Sequence, residues 1–544
     1  MKPLPGFLAA IYLFCSCSTK STADLLIYNA TIYTVDSNFS VAEAMAIQNG
    51  KIIAVGNSDS LRNVFQPGES LDVKGAFVYP GFIDAHTHFF RYALGLQTLD
   101  LTGTESWAQV IEKLKNFAEQ NTNGWLIGRG WDQNDWKEKE FPTKEELDKL
   151  FPDRPVFLTR VDGHAAIANQ EALDIGQVKA GDRTEGGIIE TKNGRLTGIL
   201  IDNAVSRVGA KIPDPGRNEI QSALALGQNN CFAVGLTTVD DCGLDYPEVQ
   251  LIDSLQNAGI LKMRVYAMLS DNPVNYNYLF SKGKIKTNRL NVRSFKVYAD
   301  GALGSRGACL LEPYHDRPRE SGFLLRTLRH YDSVANLLSQ KGYQMCTHAI
   351  GDSANRALLN IYAKYLKGKN DLRWRIEHAQ VVDPGDLPLY GENNIIPSVQ
   401  PTHATSDMYW AANRLGPLRI RGAYAYRDLL KQNGWITLGT DFPVEDISPF
   451  KTFFAASARE DARGWPRGGF QPENVLTPEE TLKGMTIWAA RSNFEEHEKG
   501  SLEKGKFADF VILNQDLLKT RGTTILNTVV QATFVNGEKV YSKR

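Results

Sequence analysis

Residues 80–88 read PGFIDAHTH, and the apolar run AFVY at 76–79 precedes them. This pattern predicts a buried strand that ends in two histidines, His86 and His88. Side chains two positions apart on a strand point to the same side, so both imidazoles can reach one point. Two neutral nitrogen ligands at one strand end suit Zn2+ or a similar divalent cation. A motif this short is also compatible with a polar turn, so the rest of the chain has to decide.

The composition of the chain is that of a globular protein. Its 544 residues are 42% hydrophobic and 23% charged, which is enough for one large domain and a smaller one. The formal net charge is -1 and no run of Lys or Arg occurs, which argues against nucleic acid or an anionic membrane surface as the main partner. The six cysteines include no Cys-x-x-Cys spacing, so we interpret those beyond the N-terminal segment as buried thiols.

The first residues resemble an export signal. The apolar run FLAAIYLF at 7–14 is too short to span a bilayer but long enough for the core of a signal peptide. It leads into CSCS at 15–18, which resembles the processing site of a bacterial lipoprotein, with Cys17 as the lipidated residue because small Ser16 precedes it. We predict a lipoprotein signal peptide at 1–17 and an exported protein that touches the membrane only through this anchor. An ordinary cleaved signal is the alternative.

Both ends of the remaining chain carry short strand patterns punctuated by turns. Segment 24–78 contains several alternating runs separated by turn signals such as Asn49-Gly50, and segment 500–544 repeats this pattern with Asn536-Gly537. Neither segment is large enough to bury a core alone. We therefore predict one small β-sandwich domain built from both segments, with the long middle of the chain inserted between them.

In that middle, 79–499, short apolar runs alternate with helical stretches, which is typical of repeated βα units. The eight runs lie at 77–84, 235–239, 262–267, 292–295, 343–347, 373–377, 395–399 and 435–440. They predict a (β/α)8 barrel, whose active sites lie at the C-terminal ends of the strands. Region 89–234 holds extra strand-like runs, so we predict a subdomain inserted after the first barrel strand and overhanging the mouth of the site.

Residue types that bind metal ions stand at or near the ends of five of these strands. After the first pair of histidines, they are Lys296, His348, His378 and Asp441. Singly, each has a structural explanation: a core histidine, an ion pair between His378 and the adjacent Glu377 at the surface, or a turn residue. Their order at the strand ends of one barrel makes chance placement a poor explanation.

Lys296 is the unusual member of this set. Its neighbours Phe295 and Val297 indicate a buried strand, where an ammonium group needs a partner or a depressed pKa. An internal ion pair with Asp300 is one interpretation. A carbamate formed from Lys296 and CO2 is the other, because its two oxygens would be able to bridge two cations.

Taken together, the motifs of the chain resemble those of the amidohydrolase superfamily and, within it, the YtcJ-like branch, amidohydrolase family 3. The motifs are GFIDAHTH at 81–88, KVYADGALGSR at 296–306, THAIGD at 347–352, IEHA at 376–379, GTDFPV at 439–444 and GSLEKGKFAD at 500–509. The resemblance covers essentially everything after the signal. It implies a metal-dependent hydrolase that acts on a small molecule.

The resemblance also implies a ligand set for one or two divalent metal ions, with Zn2+ as the expected metal. His86 and His88 with Asp441 would hold one ion, and His348 with His378 a second, bridged by N6-carboxylysine at Lys296. A cation lowers the pKa of its bound water towards 7 and polarises the substrate carbonyl. Asp441 would be the catalytic residue that takes the proton from this water and passes it to the leaving nitrogen.

His164 is the candidate substrate-binding residue. It lies in DGHAAIAN at 162–169, which resembles a motif of the YtcJ-like branch, although a structural turn histidine is the alternative. We predict hydrolysis of carbon-nitrogen bonds other than peptide bonds, with a linear N-formyl or N-acyl amide as substrate. The alternatives are a cyclic amide, an ester or a lactone at the same metal centre, and a non-catalytic metal-binding lipoprotein that kept the barrel as a scaffold.

Overall fold

The computed structural model describes residues 20–122, 124–368 and 370–543. The predicted signal peptide at 1–17, including Cys17, lies outside these residues. In the part of the chain that is described, no helix combines the length and the apolar character needed to cross a membrane.

Eight parallel strands follow one another in chain order around the centre of the molecule. They are β1 (Phe82–Thr87), β2 (Leu236–Leu244), β3 (Arg264–Ser270), β4 (Leu290–Tyr298), β5 (Gln344–Ala349), β6 (Arg375–His378), β7 (Ile396–Val399) and β8 (Thr437–Leu438). Beside β8, the backbone N–H of Asp441 donates to the carbonyl of His86 on β1 at 2.8 Å. The predicted (β/α)8 barrel is confirmed.

Helices cover the outside of the barrel, and their ends follow ordinary capping rules. Helix Leu328–Lys341, for example, begins after Thr327, whose hydroxyl accepts from the N–H of His330, and ends at Gly342, whose φ of 70° requires glycine-like freedom. The helices along the barrel are Phe89–Gly95, Arg217–Ala233, Tyr246–Asn257, Pro273–Lys282, Leu328–Lys341, Asp352–Leu366, Pro388–Glu392, Pro401–Asp407, Ala411–Arg419, Tyr426–Asn433, Pro449–Ala458, Pro478–Gly484 and Ile487–Ser492.

The two chain ends form a β-sandwich of a four-stranded and a six-stranded sheet. In spatial order the first contains Lys51–Gly56, Ala44–Gln48, Ser21–Tyr28 and Phe65–Asp72, and the second Glu538–Ser542, Val530–Val535, Phe510–Leu513, Phe77–Pro80, Thr31–Tyr33 and Val41–Ala42. Side chains of both sheets, such as Ile27 and Phe510, share one buried core. Pairing of Phe77–Pro80 with Phe510–Leu513 joins the two chain ends directly.

The run at 77–84, which we predicted as one barrel strand, is two strands in the structure. Phe77–Pro80 belongs to the sandwich, and β1 begins at Phe82. Gly81 separates them, and a Cβ at this position would collide with the side chain of Thr237 on β2. The chain therefore passes from one sheet to the other at a residue without a side chain.

A third sheet of six strands is inserted between β1 and β2. Its strands, in spatial order, are Gly187–Lys192, Arg195–Asp202, Ala165–Ala168, Val156–Arg160, Leu126–Trp131 and Leu99–Asp100. Helices Trp107–Gln120, Glu145–Leu150, Gln170–Ile175 and Val205–Gly209 accompany this sheet. Helices Phe89–Gly95 and Arg217–Ala233, although within 89–234, contribute Phe89 and Phe232 to the core of the barrel. The inserted sheet is therefore shorter in sequence than the predicted subdomain.

Candidate metal centre

The C-terminal end of the barrel brings His86, His88 and Asp441 together. Each of these residues offers one ligand atom, and the three atoms lie within 4.8 Å of one another. Nε2 of His88 is 3.3 Å and Nε2 of His86 is 3.5 Å from Oδ1 of Asp441. This arrangement follows from strand geometry, because His86 lies within β1 and His88 directly after it, while Asp441 follows β8 beside it.

Lys296, His348 and His378 complete the cluster that the sequence predicted. The ring of His378 lies with its centroid 4.8 Å from that of His86 and 4.6 Å from that of His348. Nζ of Lys296 is 3.0 Å from Nε2 of His86. All six predicted ligand residues are thus gathered in one place at the barrel mouth.

Two buried polar atoms of this cluster have no hydrogen-bond partner among the described residues. They are Nε2 of His348 and Oδ1 of Asp441. A buried polar atom without a partner loses its hydration without compensation, and native structures keep few of them. A divalent cation would supply the missing partner for both atoms, and imidazole nitrogen with carboxylate oxygen is a donor set that Zn2+ accepts. The residues present therefore fit a metal ion.

Three of the imidazoles are oriented by hydrogen bonds at Nδ1, the ring nitrogen that points away from the cluster. Nδ1 of His86 lies 2.5 Å from Oε2 of Glu377, Nδ1 of His88 lies 2.9 Å from the carbonyl oxygen of Cys242, and Nδ1 of His378 lies 2.7 Å from Oε1 of Gln400. Each acceptor oxygen fixes the proton on Nδ1 and leaves Nε2 as a free lone pair. This is the usual arrangement of metal-binding histidines.

The protonation states of the cluster also suit a cation. Burial lowers the pKa of His88 to about 3 and holds the pKa values of His348 and His378 well below their usual range. Burial alone would raise the pKa of Asp441, but the hydrogen bond from His403 and the contact with the His88 imidazole outweigh burial and hold this pKa well below its ordinary value. Neutral imidazoles and an ionised carboxylate are the forms that bind metal ions.

Glu377 is part of a buried ionic network and not of a surface ion pair with His378, as the sequence had allowed. Nε of Arg375 is 2.7 Å from Oε1 of Glu377, and Nη1 of Arg375 is 2.9 Å from Oδ2 of Asp240, with all three side chains fully buried. Burial would raise the pKa of Glu377, but the charge of Arg375 and the hydrogen bond from His86 hold it far below its ordinary range. Glu377 therefore remains an anion, and its carboxylate accepts the hydrogen bond that Nδ1 of His86 donates.

Asp300, the other predicted partner of Lys296, is engaged elsewhere. Its carboxylate accepts from the backbone N–H groups of Cys309, Ile350 and Gly351 at 2.8, 3.0 and 2.8 Å. No ion pair between Lys296 and Asp300 is formed among the described residues. Asp300 instead ties the loop after β4 to the loop after β5.

His164 reaches the cluster from the inserted sheet. Its ring centroid is 5.1 Å from that of His348, and its Nδ1 is 2.7 Å from Oδ1 of Asp202. Burial lowers the pKa of His164, but the hydrogen bond to Asp202 outweighs burial and leaves this pKa raised. A Cβ at Gly301 would lie 2.6 Å from both carboxylate oxygens of Asp202, so this glycine lets the loop after β4 pass close to it.

His403 is a site residue that the strand-end pattern missed. Its Nε2 lies 3.4 Å from Oδ2 of Asp441 and its Nδ1 lies 3.1 Å from Oε1 of Glu445. Burial lowers the pKa of His403, but the hydrogen bonds that His403 donates to these two carboxylates outweigh burial and raise it to about 10. The signal in the sequence was Pro401, two residues after the end of β7, because proline favours the first turn of a helix and places His403 in that turn at the barrel mouth.

A cavity of about 240 Å³ opens onto this cluster. Its walls come from both the barrel and the inserted sheet, with His88, His348 and Asp441 on one side and Asp162 and His164 on the other. The inserted sheet therefore overhangs the mouth of the site, as predicted, and supplies part of the space in which a small molecule would bind.

The amidohydrolase family matches residues 69–541 of the chain. Protein LONG AFTER FAR-RED 3 of Arabidopsis thaliana is 33% identical, and the alignment covers 95% of this chain and 92% of that protein. Putative amidohydrolase YtcJ of Bacillus subtilis is 28% identical over 94% of this chain and 98% of its own length. N-substituted formamide deformylase of Arthrobacter pascens is 27% identical over 96% and 98%.

Solved structures resemble the chain as well. The crystal structure of an uncharacterized metal-dependent hydrolase from Pyrococcus horikoshii has a TM-score of 0.75 and 27% sequence identity, and it covers 91% of this chain and 98% of its own. The similarity therefore extends over the sandwich and the barrel together.

Proposed function

Because the chain belongs to the amidohydrolase family, as its resemblance to the YtcJ-like branch predicted, we propose that it hydrolyses the carbon-nitrogen bond of small linear amides. N-formyl and short N-acyl amines are the substrates that we expect. One observation carries the proposal: the buried cluster at the barrel mouth leaves Nε2 of His348 and Oδ1 of Asp441 without a hydrogen-bond partner among the described residues. We would not expect a scaffold without catalytic function to keep buried polar atoms whose missing hydrogen bonds reduce its stability.

We propose Zn2+ as the metal, held by the six clustered residues. They are His86, His88, Lys296, His348, His378 and Asp441. When bound, a divalent cation supplies a hydroxide equivalent at neutral pH and polarises a carbonyl group. Lys296 would take part as N6-carboxylysine, since its Nζ lies 3.0 Å from Nε2 of His86 and its ammonium form would repel a cation, whereas a carbamate supplies two anionic oxygens.

Residues of the chain would perform the proton transfer. The carboxylate of Asp441 remains ionised, so it is able to accept the proton of the attacking water and return it to the leaving nitrogen. His403, protonated between Asp441 and Glu445, holds the second oxygen of Asp441 and so orients the first towards the cluster. His164 enters from the opposite wall and would donate to the carbonyl oxygen of the substrate.

Two observations support a small amide as the substrate. The cavity at the cluster has a volume of about 240 Å³, which leaves room for a formyl or acetyl group and its nitrogen. The relative from Arthrobacter pascens, which aligns over almost its whole length, is named for the removal of formyl groups from N-substituted formamides. Cyclic amides, esters and lactones remain the rival substrates of the same centre.

The test is hydrolysis of N-formyl, N-acetyl and cyclic amides by Zn-loaded protein, measured as the amine set free, with matched formate and acetate esters in the same panel measured as the acid set free. His348→Ala is the inactive control, and His497→Ala, at an exposed histidine outside the cluster, is the matched active one. Turnover of linear amides that disappears only in His348→Ala is the expected result. Turnover of the esters or cyclic amides alone would overturn the substrate assignment, and metal binding without any turnover would favour a binding protein.

A further inference from the structure

Two guanidinium groups beside the metal centre have no carboxylate partner. Arg129 belongs to strand Leu126–Trp131 of the inserted sheet, and Arg91 to helix Phe89–Gly95 directly after β1. No Asp or Glu oxygen of the described residues lies within 4.0 Å of either side chain. Arg129 donates from Nη2 to the carbonyl of Val161 at 2.7 Å, and its buried Nε makes no hydrogen bond.

Most other buried arginines of the described residues are paired with carboxylates, whereas Arg459 donates to the carbonyl of Phe470 and to the amide oxygen of Gln471. Arg264 holds the carboxylate of Asp509 at 2.5 Å, and Arg375 bridges two carboxylates. Arg160, the neighbour of Arg129 on the adjacent strand, is paired with Asp132 and Asp162. Burial lowers the pKa of Arg129 only to about 10, so this group carries its charge at neutral pH. Arg129 is half-buried, and Asp441 and Asp162 lie near it without an ion pair to its guanidinium. A partly desolvated charge that no carboxylate contacts is costly, and proteins keep such charges at functional sites.

Arg129 lies close to the proposed catalytic residues. A Cβ at Gly163 would be 3.6 Å from Nη1 of Arg129, and Gly163 directly precedes His164. Arg91 lies three residues after the ligand His88, and its positive charge contributes to the lowered pKa values of both His88 and Arg129. Arg129 therefore places a positive charge beside the metal centre, and Arg91, an exposed side chain that lines neither cavity, adds a second positive charge nearby.

Arg129 lines a second cavity, of about 510 Å³. This chamber shares Thr102, Val444 and Glu445 with the smaller cavity at the metal cluster, so the two spaces adjoin. Its wall is largely apolar, with Tyr92, Leu96, Leu99, Pro443 and Ile447 around Arg129.

The acidic groups of the chamber do not neutralise Arg129. Glu445 is bound by His403, and Asp446 lies 2.8 Å from Nζ of Lys451. Asp100 is exposed and accepts from the N–H of Thr102. The open position beside Arg129 is thus left for a ligand that brings its own negative charge.

We propose that Arg129, supported by Arg91, binds a carboxylate at the far end of the substrate's amine substituent. A guanidinium with free donors matches a carboxylate in planar, two-pronged geometry. The scissile amide would lie at the metal cluster, an apolar arm would run through the chamber, and the carboxylate would reach Arg129. The inference rests on the proposed amide hydrolysis and narrows its substrate class to amides with an anionic tail.

The first test compares N-formyl-6-aminohexanoate with its neutral counterpart N-formyl-6-aminohexanamide. Zn-loaded wild type is expected to prefer the carboxylate in kcat/KM by roughly tenfold to a hundredfold, the usual worth of a charge-assisted hydrogen bond. Arg129→Met should abolish this preference while turnover of the neutral amide changes less than about threefold. Arg129→Lys should retain part of the preference, and Arg217→Met, at an arginine that lines neither cavity, should retain all of it.

Equal rates for the two substrates in the wild type, or an equal loss of both in Arg129→Met, would overturn the inference and leave amide hydrolysis standing. Calorimetric binding of hexanoate and hexanamide tests the anion site without turnover. We expect Arg129→Met to weaken hexanoate binding by about tenfold, with hexanamide and the metal content unchanged. Equal hexanoate affinity in wild type and Arg129→Met would refute the site whatever the enzyme hydrolyses.

Discussion

Nδ1 of His86, at the end of the first barrel strand, lies 2.5 Å from Oε2 of Glu377 on the sixth. This contact holds the ring so that Nε2 points into the cluster, and the charge of Glu377 makes the ring a better donor to a cation. Glu377 in turn is held by Arg375. A side chain that touches no substrate therefore sets the geometry of the metal centre.

Glu377→Gln should weaken metal binding, because the amide carries no charge and binds the imidazole less strongly. The expected loss is roughly 10- to 100-fold in metal affinity, as for other residues that orient metal ligands. It is measured as the zinc content that survives dialysis against graded chelator. Glu495→Gln, at a buried glutamate paired with Lys499 away from the cluster, is the control. Equal zinc retention in the two variants would contradict the assigned role.

His403→Ala should reduce turnover more than metal content. Without His403, Oδ2 of Asp441 loses its partner at 3.4 Å, and the carboxylate that handles the proton is less well oriented. We expect kcat to fall by about 10- to 100-fold with a small change in KM. Metal content is measured on the same samples. A loss of zinc parallel to the loss of turnover would instead make His403 a metal ligand.

Cys17→Ser should release the protein from membranes. The apolar run at 7–14 and the small Ser16 before Cys17 predict lipidation at this cysteine, so we propose an exported, lipid-anchored protein. In a bacterial host, wild type and Cys15→Ser should sediment with the membrane fraction, and Cys17→Ser should not. Soluble wild-type protein would contradict the anchor, and release by Cys15→Ser alone would move the lipid to the other cysteine.

The barrel and its cluster were predictable because their signals are local. Each barrel strand is a short apolar run, and strands such as β5 carry the functional residue, here His348, next to their C-terminal end at the same edge of the barrel. The transition at Gly81 was not predictable, since a continuous apolar run does not show where the chain leaves one sheet for another. The boundary became visible only through the contact between Gly81 and Thr237.

The supporting residues of the site were hidden for a different reason. Arg375 and Glu377 look like exposed charges in sequence, yet they lie inside the barrel because their partners, Asp240 and His86, come from distant strands. A sequence pattern cannot show such partners. The unpaired state of Arg129 is equally a property of the folded chain, because it depends on which carboxylates fail to come near.

Arg375→Met should destabilise the barrel itself. The substitution removes the cation that Asp240 and Glu377 share, and both carboxylates are fully buried. Breaking a buried ion pair by removing one partner costs about 3–5 kcal/mol, because the remaining charge has no compensation. Lys364→Met, which breaks the exposed ion pair with Asp332, should leave the unfolding midpoint almost unchanged, because water screens that pair. The midpoint of urea unfolding, followed by tryptophan fluorescence, compares the two variants with wild type. A chelator in every sample removes the contribution of bound metal. A midpoint for Arg375→Met as high as that of Lys364→Met would show that the network orients His86 without stabilising the fold.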